Sequence, residues 1–267
     1  MTVSIRQPLL LAAGLLAIPV VHADEPPPPP VGWTGQGQAG VVLARGTLDT
    51  TTANMKLDAT DSFGDWKNIA HLAFLYGESG KVSSAQRLEG SWETDYNFTK
   101  RTFVFGSVNG ENDHFDGFVY QVTLAGGLGY KFIDTDTTKL TGSLGVGYRR
   151  LQTETFGTTY PDGTPYLDGF VSRTPGPTVG DAVGTAGIDY AQQLTKTTKL
   201  TDKLLVQAGG QNTSVANDFA VAVSMTQTLA LSVGYGVRYN SEPPAGTKST
   251  DQLFTVNLVY SFNQPKK

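Results

Sequence analysis

The histidines and their acidic neighbours are the first residues to consider for chemistry. His71 and His114 are the two histidines beyond the N-terminal segment, and His114 directly follows Asp113. An Asp–His pair can transfer protons in a hydrolase when a nucleophile or a second acid stands beside it. The sequence shows no complete set of such residues, and an ordinary polar loop accounts for Asp113-His114 without chemistry. We therefore expect a protein that is not an enzyme.

A second candidate motif is Gly-x-Gly, which occurs in three apolar segments. Its glycines are Gly127, Gly129, Gly145, Gly147, Gly234 and Gly236. A nucleotide-binding glycine loop needs a helix whose N-terminus faces the phosphate, and no helical pattern follows these motifs. With 0 Cys and only His71 and His114 beyond the N-terminal segment, the chain also offers few metal ligands. We expect no catalytic residue, no metal and no cofactor, and we interpret the glycines as packing positions that open the interior or receive an aromatic ring.

Charged side chains recur at alternate positions, as they would on the inner face of a barrel. The predicted inner set is Lys56, Asp58, His71, Arg87, Glu89, Glu93, Asp95, Lys131, Arg149, Asp189, Lys203 and Arg238. Two interpretations are open: opposite charges pair between strands, or Arg87, Arg149 and Arg238 form a basic mouth near the outer rim. Since a charge inside a small barrel is costly without a partner, the pattern favours pairing.

Alternation of apolar and polar residues identifies the elements that carry these charges. In residues 118–132, one parity is aromatic or aliphatic and the other is mainly small or polar. Tyr120 and Tyr130 lie on the apolar parity, and their spacing in a tilted strand corresponds to about 25 Å along a membrane normal. The mean hydropathy of −0.19 fits such strands, because only alternate residues meet lipid.

The same pattern predicts an all-β fold, a single antiparallel transmembrane β-barrel of about twelve strands. The predicted strands are 33–44, 54–61, 66–76, 88–98, 102–108, 118–132, 140–148, 182–193, 200–209, 219–227, 231–239 and 254–262. Tight turns at 62–65, 97–100, 134–136, 195–197 and 227–228 alternate with longer polar connections such as 78–84, 109–116, 152–181 and 241–249. Since bacterial barrels turn tightly on the periplasmic side, both chain ends are predicted to be periplasmic.

The chain ends and the composition predict export to the outer membrane of a Gram-negative bacterium. Residues 1–23 have the apolar run and the small-residue site of a cleaved signal peptide. Residues 24–31 form a proline-rich periplasmic lead-in, the barrel spans 32–262, and 263–267 is a short C-terminal extension. Charged residues make up only 16% and the net charge is −4, so no nucleic-acid partner is expected.

The connection at 152–181 is the longest that the pattern predicts, and it contains four prolines and several aromatic residues. Long loops in compact folds are usually functional or disordered. This one could fold into the mouth as a constriction, project as a contact surface, or be a variable exposed loop without a fixed role. The sequence leaves these alternatives open.

Short glycine–tyrosine motifs carry a family resemblance. Residues 127–132 read GLGYKF, 145–150 read GVGYRR, the first strand opens with Trp33-Thr34-Gly35, and 259–262 read VYSF. These motifs are similar to those of the salt-induced outer-membrane protein family. The resemblance covers most of residues 33–262. The resemblance implies an outer-membrane barrel without an established activity and supplies no catalytic residues. Outer-membrane barrels often end on an aromatic residue that the assembly machinery recognises. Here residues 263–267 follow Phe262, so this chain departs from that pattern.

Together these features predict an integral outer-membrane barrel with membrane lipid and the barrel assembly machinery as its partners. We expect a narrow passive channel for small solutes or ions, or a structural envelope barrel; the link to salt or osmotic stress comes from the resemblance alone. A surface-binding or adhesin-type barrel is the alternative, and an outer-membrane hydrolase is less favoured than either. The sequence does not predict an oligomeric state.

Overall fold

The computed structural model describes residues 32–44, 50–79, 82–113, 118–157, 172–243 and 248–263. Within them the chain forms twelve β-strands. The strands are β1 Thr34–Ala44, β2 Thr50–Phe63, β3 Trp66–Ser79, β4 Val82–Asn97, β5 Thr102–Asp113, β6 Phe118–Asp134, β7 Thr138–Gly157, β8 Ser172–Gln193, β9 Thr198–Gly209, β10 Thr213–Ser224, β11 Leu229–Asn240 and β12 Thr250–Phe262. The predicted signal peptide and lead-in, and His114, lie outside the described residues.

The strands close into one ring in which each strand pairs with its neighbours in sequence and β12 returns to β1. All pairings are antiparallel, as in the β6–β7 pair and in the β1–β12 seam. The seam is short, since β1 pairs with β12 only from Gly35 to Ala39, whereas it pairs with β2 over its full length. Closure leaves the sheet without a free edge along most of the wall.

The two rims of the barrel differ. One, here called the turn rim, carries the short turns at 64–65, 98–101, 135–137, 194–197 and 225–228. The first and last described residues also lie there, because Gly35 stands opposite Phe262 and the Asn263 side chain donates to the Trp33 carbonyl at 3.0 Å. The opposite, or loop, rim carries the remaining connections.

Threonine hydroxyls close four of the five short turns. In each of these turns the hydroxyl accepts the backbone N–H of the residue three positions later, a local bond that stabilises a turn. The pairs are Thr99 with Thr102 at 2.8 Å, Thr135 with Thr138 at 2.9 Å, Thr195 with Thr198 at 3.0 Å, and Thr226 with Leu229 at 2.9 Å. The fifth turn uses Gly64, whose φ of 57° suits a residue without a Cβ.

The outer wall is apolar and exposed over the whole ring. Leu144 and Val146 are 70% and 76% exposed. Soluble proteins rarely expose apolar side chains to this extent over a continuous surface. Near the turn rim the aromatic rings pair: Trp33 lies 5.6 Å from Trp92 and Trp66 lies 4.9 Å from Tyr96, measured between ring centroids. Such a belt marks the interface of a bilayer. The predicted all-β fold, a twelve-stranded antiparallel transmembrane barrel of the outer-membrane type, is confirmed.

None of the described residues forms a helix long and apolar enough to cross a membrane. The predicted connections 78–84 and 109–116 are mostly strand, since β3 ends at Ser79, β4 begins at Val82 and β5 continues to Asp113. Two further details of the sequence prediction were wrong. β10 begins at Thr213 and ends at Ser224, earlier than the predicted 219–227, because its first half is polar and the apolar pattern alone does not reveal it.

The second error concerns the connection predicted at 152–181. β7 continues to Gly157 and β8 begins at Ser172, so most of the predicted loop is a hairpin, and its remaining residues, 158–171, lie outside the described ranges. β8 pairs with β9 only from Val183 onward. The part of β8 that contains Pro175 and Pro177 therefore pairs with β7 alone, and an edge of this kind tolerates proline.

Candidate functional site in the barrel interior

Polar side chains dominate the interior. Among the described residues the buried apolar side chains are Ala73, Phe103, Phe118, Leu151, Val183 and Val259. The buried polar side chains are more numerous and include Thr123, Arg149, Asp95, Ser232, Asn240 and Asn257. With an apolar exterior and a polar interior, the barrel is the inverse of a soluble protein, and it suits an interior that contacts water.

The glycines of β6 and β7 receive aromatic rings from β5. A Cβ added to Gly129 would lie 2.0 Å from Cζ of Phe103, and one added to Gly127 would lie 2.8 Å from Cε1 of Phe105. Phe103 itself is 5% exposed. Of the two roles considered for these glycines, ring packing is the one that the structure shows on this side of the wall.

Replacing Gly129 by alanine should therefore reduce the free energy of unfolding by about 1 to 3 kcal/mol, because the Phe103 ring must leave its position. Denaturant titration of the refolded barrel in detergent measures this change. Gly106→Ala is the matched control, since a Cβ on Gly106 meets nothing within 4 Å. Equal losses in both variants would contradict the packing role.

The central bridge consists of Lys56, Glu89, Asp218 and Arg238. Arg238 donates from Nε to Glu89 Oε1 at 3.2 Å and from Nη2 to Asp218 Oδ2 at 2.9 Å. Lys56 Nζ donates to the other oxygen of Asp218 at 2.9 Å. Two cations and two carboxylates thus alternate in one connected group, which compensates their burial.

This bridge crosses the interior from one wall to the other. Glu89 lies on β4 and Arg238 on β11, and the path between them around the wall passes β3, β2, β1 and β12. Lys56 on β2 likewise reaches β10 past β1, β12 and β11. Since the side chains meet directly, they narrow the interior at this level.

Arg87 anchors a second group nearer the loop rim. Its guanidinium hydrogen-bonds to Asp113 and lies 3.6 Å from Glu111 Oε1, 3.8 Å from Glu89 Oε1 and 3.5 Å from Asp251 Oδ2. Arg87 is therefore surrounded by carboxylates. Through Glu89 this group is continuous with the central bridge.

Arg149 is fully buried, with 0% side-chain exposure. It binds both oxygens of Asp181, at 3.3 and 3.1 Å, and donates to the carbonyl of Asn212 at 2.9 Å. The backbone N–H of Gln211 also donates to Asp181, at 2.9 Å. These bonds attach the base of the β7–β8 hairpin to the β9–β10 turn.

Asp58, His71 and Lys203 form a third group. His71 Nδ1 lies 2.8 Å from Asp58 Oδ1, and Lys203 Nζ lies 3.7 Å from the same oxygen. Ser91 stands opposite His71 in the β3–β4 register. Asp58, His71 and Ser91 therefore lie side by side on β2, β3 and β4, and these are the three residue types of an acyl hydrolase. In the described part of the chain, however, Ser91 has no hydrogen bond to His71, the contact through which a histidine activates a serine.

Glu93, Asp95 and Asp189 form the acidic cluster. Glu93 and Asp95 share the inner face of β4, and Asp189 on β8 acts electrostatically on both. Lys67 Nζ lies 3.8 Å from Asp95 Oδ2. Lys131, which also belongs to the predicted inner set, donates to Asn97 Oδ1 at 2.8 Å.

Sequence reasoning missed most of the anionic partners. Arg87, Arg149 and Arg238 contact Asp113, Asp181 and Asp218, none of which was in the predicted inner set. Asp113 and Asp181 fall in segments interpreted as loops, and Asp218 directly precedes a predicted strand. Extending the alternation by one residue would have included Asp181 and Asp218, whereas Asp113 lies five residues beyond the predicted end of its strand. Within the described residues, no group of three or more metal-ligating side chains is placed to hold a metal ion.

Comparisons with known proteins give a family and one curated relative. The family model described as protein of unknown function, DUF481, matches residues 37–262. The uncharacterized protein YdiY of Escherichia coli strain K12 is 24% identical over 244 residues, which cover 89% of this chain and 86% of that protein. The resemblance to a family without an established activity is thereby confirmed.

Distant likenesses to solved barrels also exist. The NanC porin superposes with a TM-score of 0.46 at 10% identity, covering 84% of this chain and 98% of the porin. An outer-membrane channel from Pseudomonas putida F1 has a TM-score of 0.45 at 12% identity, covering 90% of this chain and 100% of the channel.

Proposed function

Because the chain belongs to the DUF481 family of proteins of unknown function, we propose its function from the barrel interior: it is a narrow, passive outer-membrane channel for small ions or solutes. The central bridge is the observation that carries this proposal. A wall-to-wall group of charged side chains is stable only in a polar, hydrated interior, and it leaves room for small species alone.

The proposal includes an orientation. The turn rim faces the periplasm and the loop rim faces the outside, since bacterial barrels have short periplasmic turns and longer outer connections. The chain would then reach the membrane through the periplasm and be inserted by the barrel assembly machinery. The link to salt or osmotic stress that the resemblance implied belongs to the same proposal.

Planar-bilayer recording of the purified, refolded barrel tests the channel. We expect small, steady conductance steps in concentrated KCl, well below those of porins with about 16 strands, because side chains fill much of the interior. The same protein unfolded by heat before addition is the control. Large, porin-like steps would contradict a narrow lumen, and a silent barrel would favour a purely structural role in the envelope.

The β7–β8 hairpin favours a second candidate function, contact with other surfaces. Residues 152–157 of β7 pair with residues 172–178 of β8, in a region where β8 has no β9 partner. The hairpin therefore continues beyond the loop rim of the wall. Arg149 and Asp181 attach its base to the β9–β10 turn.

A further inference from the structure

The carboxylates and basic groups of the interior are partnered unequally. Arg87, Arg149 and Arg238 each contact at least one carboxylate, and Arg149 is fully buried. The interior basic groups are Lys56, Lys67, Arg87, Lys131, Arg149, Lys203 and Arg238. The interior carboxylates are more numerous: Asp58, Glu89, Glu93, Asp95, Glu111, Asp113, Asp181, Asp189, Asp218 and Asp251. A permeating ion therefore meets neutralised arginines and an excess of negative charge.

This excess lies around Arg87, where Glu111, Asp113 and Asp251 add to Glu89, and in the acidic cluster. Among the residues that the structure describes, no basic side chain lies within 4.0 Å of Glu93 or Asp189. Lys203 is the register partner of Asp189, but its ammonium lies 3.7 Å from Asp58 instead. Lys131 is similarly directed to the amide of Asn97. Among the described residues, Lys67 is the one basic side chain that forms an ion pair with the cluster, at 3.8 Å from Asp95. Lys131 and Lys203 act electrostatically on Asp95 and Asp189 from farther away.

Asp95 provides an independent sign that the cluster receives a ligand. Its residue exposure is 3%, and its Oδ1 atom has no hydrogen-bond partner among the described residues. A buried oxygen without a donor is unfavourable, whereas a small cation with an oxygen-rich hydration shell is the natural ligand for carboxylate oxygens. The oxygen is thus placed to receive a cation that enters the interior.

We propose that the interior selects small cations over anions and that Glu93, Asp95 and Asp189 determine this selectivity. The inference deepens the channel function and rests on it. An unpaired basic mouth would instead favour anions. Here the three arginines that would attract anions are neutralised by their carboxylate partners. A cation that passes the cluster is attracted by carboxylates that form few ion pairs with lysine side chains.

The test is the reversal potential of the full barrel in a planar bilayer with a KCl gradient. The unmodified protein should favour K⁺ over Cl⁻. Combining Glu93→Gln, Asp95→Asn and Asp189→Asn should lower the permeability ratio about fivefold or more, since one charge at about 4 Å changes ion partitioning by roughly that factor even in water. Raising the KCl concentration should weaken the preference of the unmodified protein by screening.

The matched control removes three carboxylates from the turn rim instead, by Asp65→Asn, Asp134→Asn and Asp136→Asn. All three side chains are exposed, and the change in net charge is the same. We expect this variant to retain the K⁺ preference. Preference for Cl⁻ in the unmodified protein, or equal effects of the two triple variants, would overturn the selectivity inference while leaving the channel intact. Silence of both the unmodified barrel and an Arg238→Ala barrel would overturn the channel itself, and the inference with it.

Discussion

Replacing Arg149 by methionine should lower the free energy of unfolding by about 3 to 5 kcal/mol, the usual effect of removing one partner of a buried ion pair. The guanidinium has 0% exposure and binds both oxygens of Asp181. Without it, the part-buried Asp181 keeps its charge but has no positive partner. Urea titration of the refolded barrel, followed by heat-modifiable migration on gels, measures the loss.

Two further variants separate the charge effect from packing. Arg150→Met alters the next residue, whose side chain is exposed, and should change stability little. Adding Asp181→Asn to Arg149→Met removes both charges and should recover much of the lost stability. If the double variant is no more stable than Arg149→Met alone, the loss comes from packing and the ion-pair explanation fails.

Replacing Arg238 by alanine should raise the single-channel conductance about twofold or more, because a side chain that crosses the interior is removed. Glu89 and Asp218 would lose the guanidinium that holds them at 3.2 and 2.9 Å. The released carboxylates would then line a wider, more acidic opening. Recording the variant and the unmodified protein under the same KCl concentration tests this expectation.

Lys100→Ala is the control for the Arg238 variant, since Lys100 is an exposed residue of a turn outside the interior. It removes one positive charge without altering the central bridge. Conductance should equal that of the unmodified barrel. If Arg238→Ala conducts no better than Lys100→Ala, the central bridge does not limit ion flow.

The direction of most side chains was predictable because a strand has a period of two. Phe118, which the alternation placed on the outer wall, is buried because a register shift lies between Phe118 and Tyr120. Leu124 and Leu128 are exposed on the outer wall and Thr123 is buried inside, as the alternation in residues 118–132 predicts. The approximate number of strands followed from the same pattern and from the turns between its segments. These properties depend on neighbours along the chain, which the sequence displays directly.

The contacts across the interior could not be predicted in the same way. Which residue of β11 meets Glu89 depends on the tilt, stagger and diameter of the closed ring, and these are set by all twelve strands together. Alternation placed Glu89 and Arg238 inside but not opposite each other. The partner of Arg149 was hidden for a different reason: Asp181 belongs to a stretch rich in proline and glycine that reads as a loop until β7 is seen to pair with it.

The brief β1–β12 seam also has a consequence for how the protein forms. The bond between Asn263 and Trp33 joins residues 230 positions apart, so this pairing has the largest chain-closure entropy in the fold. It also has the fewest paired residues, from Gly35 to Ala39. Its pairing energy therefore offsets the least of that entropy. Contacts that are both remote in sequence and few in number form late. The barrel is therefore expected to close there last, after an open sheet of consecutive hairpins has assembled.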